Sequence, residues 1–175
     1  MFKFLTKIFH QLARLTKAEF HFKKPYQNDI LIFDKKGSDT PHFKYFLTKK
    51  PAILHVLGEK INLYIIFRLL LKFKIPSLSS YIEESIKIIR PRIIFHNSYN
   101  IRFFQINKKK FNFKFKKIFT QSELKNHLDF KDFIGEKKNL SCDNLFVWSE
   151  GMKINLSKYI IGNYEIVGSF ANNEG

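Results

Sequence analysis

Cysteine is almost absent from this chain of 175 residues, which carries only Cys142. A single cysteine can form no disulfide within the chain and cannot supply the cysteine pairs of structural zinc sites. No secretory signal with a small-residue cleavage site opens the sequence, and an unpaired cysteine suits a reducing compartment. We therefore expect a cytoplasmic protein that is stabilised by a hydrophobic core, which a composition of 45% apolar and 17% aromatic residues can supply.

Long hydrophobic runs and several common site motifs are also missing. The longest apolar run, residues 61–71, is interrupted by Asn62 and Arg68 and is shorter than the ~20 residues of a membrane-spanning helix. The sequence has neither the GxGxxG pattern nor the GxxxxGK(S/T) phosphate loop, which argues against NAD-dependent and ATP-driven chemistry. It also lacks a GxSxG elbow, a CxxC pair and histidines spaced with carboxylates for a metal triad, so we predict no metal site.

Arginine is scarce although the formal net charge is +16, since only five of the 31 basic residues are arginines. A charge of this size favours two classes of partner, nucleic acid and an anionic membrane surface. Arginine is preferred for bidentate contacts with phosphates and bases, so its scarcity argues against sequence-specific nucleic-acid binding. The excess of lysine, together with many Phe, Ile and Asn residues, is also typical of proteins from genomes rich in A and T.

The first 24 residues are expected to form a basic amphipathic helix that precedes the globular domain. Apolar residues recur at helical spacing, and basic residues occupy other parts of the helical wheel. The apolar positions are Phe2, Leu5, Ile8, Phe9, Leu12 and Leu15, and the basic ones are Lys3, Lys7, Arg14 and Lys17. Residues 1–20 could lie in the headgroup layer of an anionic membrane, where each basic residue contributes on the order of 1 kcal/mol. A helix packed against the domain would show the same pattern.

Residues 25–170 are predicted to form an α/β domain with a doubly wound, Rossmann-like parallel sheet of about six strands. Short apolar segments alternate with helical patterns, as in parallel sheets covered by helices. The predicted strands are residues 30–33, 53–57, 92–95, 113–119, 144–148 and 164–167, and the predicted helices are residues 61–73, 77–89 and 151–159. In the second helix, Ser80 and Glu83 have the spacing of a capping box. Residues 171–175 are interpreted as the start of a linker.

The segment from residue 104 to residue 117 alternates basic residues with Phe111, Phe113 and Phe115. A period of two favours a half-buried strand. Aromatic side chains interleaved with lysines are also typical of surfaces that stack the bases of single-stranded nucleic acid. The sequence leaves both interpretations open.

Candidate ligand-binding residues follow from the predicted sheet, because ligands of open parallel sheets bind beyond the carboxyl ends of the strands. Polar residues and one glycine follow the apolar segments at these positions. The candidates are Asp34, Gly37, Ser38, Glu59, Asn97 and Gln121. Gly37 would let the backbone turn tightly, whereas Ser38 could instead cap the next helix.

Two further residues at the same predicted edge are candidates for catalysis. His96 ends the third strand and could act as a base toward a hydroxyl group. Glu150 opens a helix after the fifth strand, where the helix dipole stabilises a carboxylate. A surface histidine and an ordinary helix-capping carboxylate are the alternative interpretations of these two residues.

A series of short motifs resembles those of bacterial proteins of lipopolysaccharide and surface-carbohydrate biosynthesis. In order, they are FHFKKP at residues 20–25, ILIFD at residues 30–34 with Gly37 and Ser38, VLGE at residues 56–59 followed by Ile61 and Asn62, RPRII at residues 90–94 leading to Asn97, LSCD at residues 140–143, FVWSE at residues 146–150, SKYI at residues 157–160 and VGSF at residues 167–170. The resemblance covers nearly the whole chain. Proteins of this family look like GT-B glycosyltransferases, in which two Rossmann-like domains face each other across a cleft.

The resemblance implies a different role for each of the two domains. The amino-terminal domain receives a carbohydrate or lipid-linked acceptor, and the carboxyl-terminal domain binds the nucleotide-sugar donor. On this basis the present chain is the acceptor-side half, and its polar strand-end residues bind the acceptor. It binds no cofactor itself, and the donor is expected on a missing domain or on a separate donor-binding subunit. The basic leading helix would hold such a protein at the inner face of the cytoplasmic membrane.

The chain departs from the family in two respects. The family has Gln-Asn-Gly after the fourth strand, whereas this chain has Gln121, Ser122 and Glu123, which lack the glycine of that loop. Family members also carry a second domain, which this chain is expected to lack. Catalysis by this polypeptide alone is therefore not expected.

Overall fold

The structure, a computed structural model, describes residues 18–34, 50–56, 60–122 and 140–169. Within these ranges the strands are β1 (Glu19–His21), β2 (Ile30–Ile32), β3 (Ala52–Ile53), β4 (Lys60–Asn62), β5 (Ile93–His96), β6 (Lys116–Thr120), β7 (Leu140–Val147) and β8 (Ile160–Ile166). The α-helices are α1 (Leu63–Leu71), α2 (Leu78–Ile89), α3 (Ile101–Phe104) and α4 (Glu150–Ser157), and Lys108–Lys110 form a 3-10 turn.

Six of the strands form one sheet in the order β3-β2-β5-β6-β7-β8. Every neighbouring pair in this sheet is parallel. The chain first places β3 on one side of β2 and then β5 to β8 on the other side, which is the strand order of a doubly wound sheet. The predicted α/β class and the six-stranded parallel sheet are confirmed, although the strand ends differ from the predicted ones.

Helix α2 lies between the sheet and helix α1. The side chains of α2 that join the main core are Ile82, Ile86 and Ile89. On the opposite side, Ile88 packs with Ile65 and Leu69 of α1 in a smaller cluster. Helix α1 is therefore a third layer, outside α2.

Two serines cap the beginning of α2. Ser77 Oγ accepts a hydrogen bond from the Ser80 backbone N–H at 3.1 Å, and Ser80 Oγ accepts one from the Ser77 backbone N–H at 2.8 Å. The predicted capping box of Ser80 and Glu83 is wrong, because the helix begins one turn earlier. Glu83 instead forms an ion pair with Lys110.

A buried carboxylate joins α1 to α2. Glu84 is 3% exposed and accepts hydrogen bonds from Arg68 Nε at 2.9 Å and from Lys72 Nζ at 2.7 Å. Burial opposes ionisation of Glu84, but the hydrogen bonds from Lys72 and Arg68 outweigh this effect and hold the pKa of the carboxyl below its ordinary value. Both cations remain partly exposed, so solvent screens the pairs and we expect their contribution to stability to be modest.

Strand β1 pairs in parallel with β4 in a separate two-stranded sheet. The predicted helix over residues 1–24 is therefore wrong for residues 19–21, and residues 1–17 lie outside the described ranges. The backbone is extended here because its hydrogen-bonding groups bond to residues far away in the sequence. For example, Asn62 Nδ2 donates to the Lys23 carbonyl oxygen at 2.8 Å. Asn62 also caps α1, so the residue that interrupts the apolar run marks the beginning of that helix.

The segment of alternating basic and aromatic residues is not a strand along its whole length. Strand β6 begins at Lys116, so the predicted strand is wrong for residues 113–115. The rings of Phe111, Phe113 and Phe115 instead pack against one another, with centroids 5.2 to 5.8 Å apart, and are called the phenylalanine cluster. Phe115 is buried, and the other two pack against the main core. These contacts favour a packing role over a base-stacking one.

Lys117 lies inside the fold rather than on its surface. Its side chain is fully buried, and Nζ donates hydrogen bonds to the carbonyl oxygens of Phe104 at 3.1 Å and Ile106 at 3.0 Å and to Ser141 Oγ at 3.3 Å. The ammonium group thereby satisfies carbonyl groups at the end of α3, where no further helical turn supplies donors. Burial lowers the pKa of Lys117 to about 8.

Gly162 in β8 faces an irregularity in β7. The pairing of these two strands shifts register between Ser141 and Asn144. A Cβ atom at Gly162 would lie 2.2 Å from the carbonyl oxygen of Cys142 and 2.4 Å from Leu145 Cδ1. The close approach of the two backbones therefore requires a residue without a side chain at this position.

We expect Gly162→Ala to lower the free energy of unfolding by about 2 to 3 kcal/mol, because the added methyl group must displace backbone in a packed region. Urea denaturation monitored by circular dichroism measures the change. Gly151→Ala is the matched control, since a Cβ there would meet only Ser149 Oγ at 3.9 Å. Equal losses in the two variants would contradict the steric explanation.

Candidate functional site

The carboxyl ends of the six parallel strands meet at one edge of the sheet, which we call the carboxyl edge. The strand order reverses between β2 and β5, and ligands of open parallel sheets bind at such a reversal. The register pairs Ile32 of β2 with Phe95 of β5. Asp34 and Asn97 therefore follow these two strands side by side, at the reversal itself.

Half of the predicted ligand-binding residues lie in the described ranges, and all of these are at the carboxyl edge. They are Asp34, Asn97 and Gln121, which follow β2, β5 and β6. Gly37, Ser38 and Glu59 lie outside the described ranges. The exposed fractions of the three described residues are only 2%, 4% and 1%. The fold brings these side chains together just beneath the surface of the edge rather than on it.

Hydrogen bonds join the ends of β5, β6 and β7. The Ser122 hydroxyl donates to the Asn97 carbonyl oxygen. Gln121 Oε1 accepts a hydrogen bond from the Trp148 backbone N–H at 2.9 Å, and the Gln121 backbone N–H donates to the Phe146 carbonyl oxygen at 2.9 Å. The amide oxygen of Gln121 is thus used to hold the end of β7, which favours a structural role for this side chain.

His96 is fully buried at the end of β5. Its ring packs against those of Phe33 and Phe103, with centroid distances of 5.2 and 5.1 Å. Nε2 is 3.1 Å from Ser98 Oγ, whereas Nδ1 has no hydrogen-bond partner among the described residues. Burial lowers the pKa of His96 to about 3, so the ring is neutral near pH 7. A base acts best when its pKa is near the working pH, so these features favour core packing over the predicted catalytic role.

Glu150 is exposed at the first residue of α4, on the same edge of the sheet. Ser149 caps this helix by accepting a hydrogen bond from the Met152 backbone N–H at 3.3 Å, and Glu150 lies 3.1 Å from Lys153 Nζ. Two strand spacings, or about 10 Å, separate the ends of β5 and β7. The carboxylate is therefore within reach of a ligand that also contacts the end of β5, and its catalytic role stays a prediction.

Trp148 is a part of this edge that the sequence interpretation did not assign to the site. It is the only tryptophan in the chain and directly follows β7. The ring is partly buried, and its Nε1 donor is buried without a hydrogen-bond partner among the described residues. Its place directly after an apolar strand, where the other candidates were sought, was the signal that could have identified it.

The groups at the carboxyl edge suit the binding of a polar ligand. They include serine hydroxyls, the Glu150 carboxylate and an aromatic ring, the mixture of apolar surface and few polar groups found in small-molecule sites. Within the described part of the chain, no group of three His, Cys, Asp or Glu side chains could hold a metal ion.

A separate cavity of about 210 Å³ opens beside β3 and the two-stranded sheet. Its basic lining residues are His21, Lys23, Lys24, His55 and Lys60. No carboxylate is among the described residues that line it, so an anionic group is the ligand that this cavity favours. None of the predicted site residues that the structure describes lines this cavity.

No family model matches the chain, and neither does any curated protein or solved structure compared with it. The resemblance to surface-carbohydrate proteins thus stays a prediction that rests on the short motifs alone. Within the described ranges, no helix combines the length and the apolar character needed to cross a membrane.

Proposed function

We propose that this chain binds a carbohydrate or lipid-linked acceptor at the carboxyl edge and forms the acceptor-side half of a GT-B-like transferase of bacterial surface-polysaccharide synthesis, such as that of lipopolysaccharide or capsule. The observation that carries the proposal is that Trp148 and the exposed Glu150 directly follow β7, at the same edge of the sheet as the reversal of strand order. Amides and carboxylates bind hydroxyl groups, and an aromatic ring offers an apolar face to a sugar ring. The motif resemblance supports the same reading independently.

Ligand binding at this edge is expected to change the fluorescence of Trp148, which has no other tryptophan to obscure it. Titration with hexoses, hexosamines and their phosphates, followed by tryptophan emission, would identify an acceptor class. For a ligand that responds, Glu150→Gln should weaken binding by about tenfold, since one charge-assisted hydrogen bond is lost.

Asp29→Asn is the matched control, because Asp29 is exposed and directly precedes β2, at the opposite edge of the sheet. It should leave the titration unchanged. The proposed site would be refuted if a carbohydrate ligand bound with unchanged affinity to the Glu150 variant and without any change in Trp148 emission.

Transfer also needs a nucleotide-sugar donor, which we propose is held by a partner subunit or a further domain. Co-expression with a donor-binding protein encoded next to this gene should give a complex that co-purifies and transfers sugar. A complex that forms but transfers nothing would leave an acceptor-binding module without catalysis.

Binding to single-stranded nucleic acid is the alternative suggested by the charge of +16. It would have to use other surfaces than the phenylalanine cluster, whose rings pack against each other and the core. Affinity for a labelled oligonucleotide that falls log-linearly as salt rises would support this alternative.

We further propose that the leading segment places the protein at the inner face of the cytoplasmic membrane. Because β1 begins at Glu19, a deletion through residue 20 would remove part of a strand. Ile8→Asp with Leu12→Asp is a better test, since it disrupts only the apolar face of residues 1–17. Flotation with anionic vesicles should weaken in this variant, and unchanged flotation would contradict the role of the leading segment.

A further inference from the structure

Helix α1 is apolar on two sides, one of which packs against α2 while the other has large exposed fractions. Ile65 and Leu69 face α2 and are buried. A second stripe at helical spacing is exposed to solvent, and its members with their exposed fractions are Leu63 at 37%, Phe67 at 50%, Leu70 at 54% and Leu71 at 63%. Phe22, itself 66% exposed, extends the stripe by packing its ring 6.5 Å from that of Phe67. A contiguous apolar surface of this kind marks an interaction site.

The stripe ends in a protruding tip that follows α1. Phe73 is 99% exposed and Ile75 is 87% exposed. Phe73 has a positive φ of 52°, and two hydrogen bonds to the end of α1 close this turn, from the Phe73 backbone N–H to the Leu70 carbonyl oxygen and from the Lys74 backbone N–H to the Leu69 carbonyl oxygen, both 2.9 Å long. The hydrogen-bonded turn therefore holds two large apolar side chains in water. The tip and the exposed stripe of α1 are together called the α1 surface.

The charge around the α1 surface is of one sign. Lys72 and Lys74 flank Phe73, and residues 60–82 contain no Asp or Glu. The buried Glu84 pairs with Arg68 and Lys72, and these three side chains together keep one net positive charge. Lys74 adds a second positive charge, so the charge beside the apolar surface is positive overall among the described residues.

This charge decides between the possible occupants of the surface. A second copy of the chain would bring a second basic surface against the first, and residues 1–17 are themselves basic and contain no acidic residue. Like charges brought together in this way repel. The occupant must offer both negative charge and an apolar interior, and an anionic lipid bilayer does so, because lysine ammonium groups remain at the headgroups while apolar side chains enter below them.

We propose that the α1 surface docks on anionic bilayers by inserting Phe73 and Ile75 between the lipids, with Lys74 at the headgroups. This surface is distinct from the leading segment and from the carboxyl edge, and it does not depend on the identity of an acceptor. It would hold the domain in a fixed orientation, since a protruding tip contacts the bilayer through one side of the molecule only.

The test uses the full chain and vesicles of phosphatidylcholine with or without about one third phosphatidylglycerol, at physiological salt. We expect co-sedimentation with the anionic vesicles only. Phe73→Ser with Ile75→Ser should lower the partition coefficient by about tenfold, because two apolar side chains no longer enter the bilayer. Both residues are almost fully exposed, so the variant should keep the wild-type circular dichroism spectrum.

Two matched controls separate this effect from general ones. Ile161→Ser removes an apolar side chain that is 68% exposed in β8 and should bind like the wild type. Lys74→Glu and Lys114→Glu change the net charge equally. Lys74→Glu should weaken binding more, because Lys114 lies between Phe113 and Phe115 and not on the α1 surface.

A fluorescent label distinguishes insertion from adsorption through charge alone. An environment-sensitive dye on Phe73→Cys should shift to shorter wavelengths with anionic vesicles, whereas the dye on Ile161→Cys should not. The native Cys142 is buried and its pKa is raised to about 12 by that burial, so it should stay unlabelled. Absence of binding to anionic vesicles, equal binding of the double serine variant, or a tip that binds only an acidic protein would each overturn the proposal.

Discussion

Acidification from pH 6.5 to about pH 4.5 is expected to lower the free energy of unfolding by about 2 kcal/mol through His96 alone. The unfolded chain binds a proton at this histidine below its ordinary pKa of 6.5, whereas burial lowers the folded-state pKa to about 3. Between these two values the unfolded state holds more protons, so stability falls as the pH falls. The loss should approach about 1.4 kcal/mol for each pH unit and should end near pH 3.

Urea denaturation at several pH values measures this loss, and His96→Gln should largely remove it. Glutamine does not titrate, and its amide can keep a hydrogen bond to Ser98. Carboxylates that titrate near the lower limit of this window do so in both proteins, so the difference between the wild type and His96→Gln isolates the histidine. His55→Gln is the matched control, because it removes a different histidine and leaves His96 in place. An unchanged pH dependence in His96→Gln would show that His96 is accessible to protons in the folded state and would restore it as a candidate base.

At alkaline pH, the buried Lys117 is expected to contribute a change in the free energy of unfolding of the opposite sign. Burial lowers its folded-state pKa from 10.5 to about 8, so between these values the unfolded state holds a proton that the folded state has released. Stability attributable to Lys117 therefore rises with pH through this window. Relative to Lys117→Met, the wild type should gain up to about 3 kcal/mol between pH 8 and pH 10.5.

The comparison with Lys117→Met is needed because other groups act the other way. Burial raises the pKa values of Cys142, Tyr81 and Tyr164, so the folded state keeps these protons and loses stability as the pH rises. These losses occur in both proteins, so the difference between the two curves isolates Lys117 and its interaction with Cys142. Lys114→Met is the matched control for the loss of one positive charge. Parallel curves for the wild type and Lys117→Met would mean that the ammonium group reaches solvent in the folded protein.

The phenylalanine cluster shows why a periodic pattern can predict the wrong secondary structure. Alternation of Phe111, Phe113 and Phe115 with lysines matches the period of a strand, yet the strand begins only at Lys116. The three rings gain more contact by packing together than by alternating across a sheet, and Phe115 is buried as a result. The spacing of apolar residues along the chain does not determine which of their side chains pack together in the folded protein.

The class of fold and the position of the candidate site were determined by the sequence alone. These features are local patterns: the apolar run at Ile30–Ile32, the amphipathic α2, and the polar residues Asn97 and Glu150 after their strands. Such patterns predict the fold correctly because apolar side chains have to be buried wherever they occur in the chain. Only the tertiary structure decided that His96 and Lys117 are buried, that Glu19–His21 form a strand, and that the outer side of α1 is uncovered. Each of these depends on contacts between segments far apart in the chain, and the free energy of such contacts is set by what each side chain meets rather than by its neighbours in sequence.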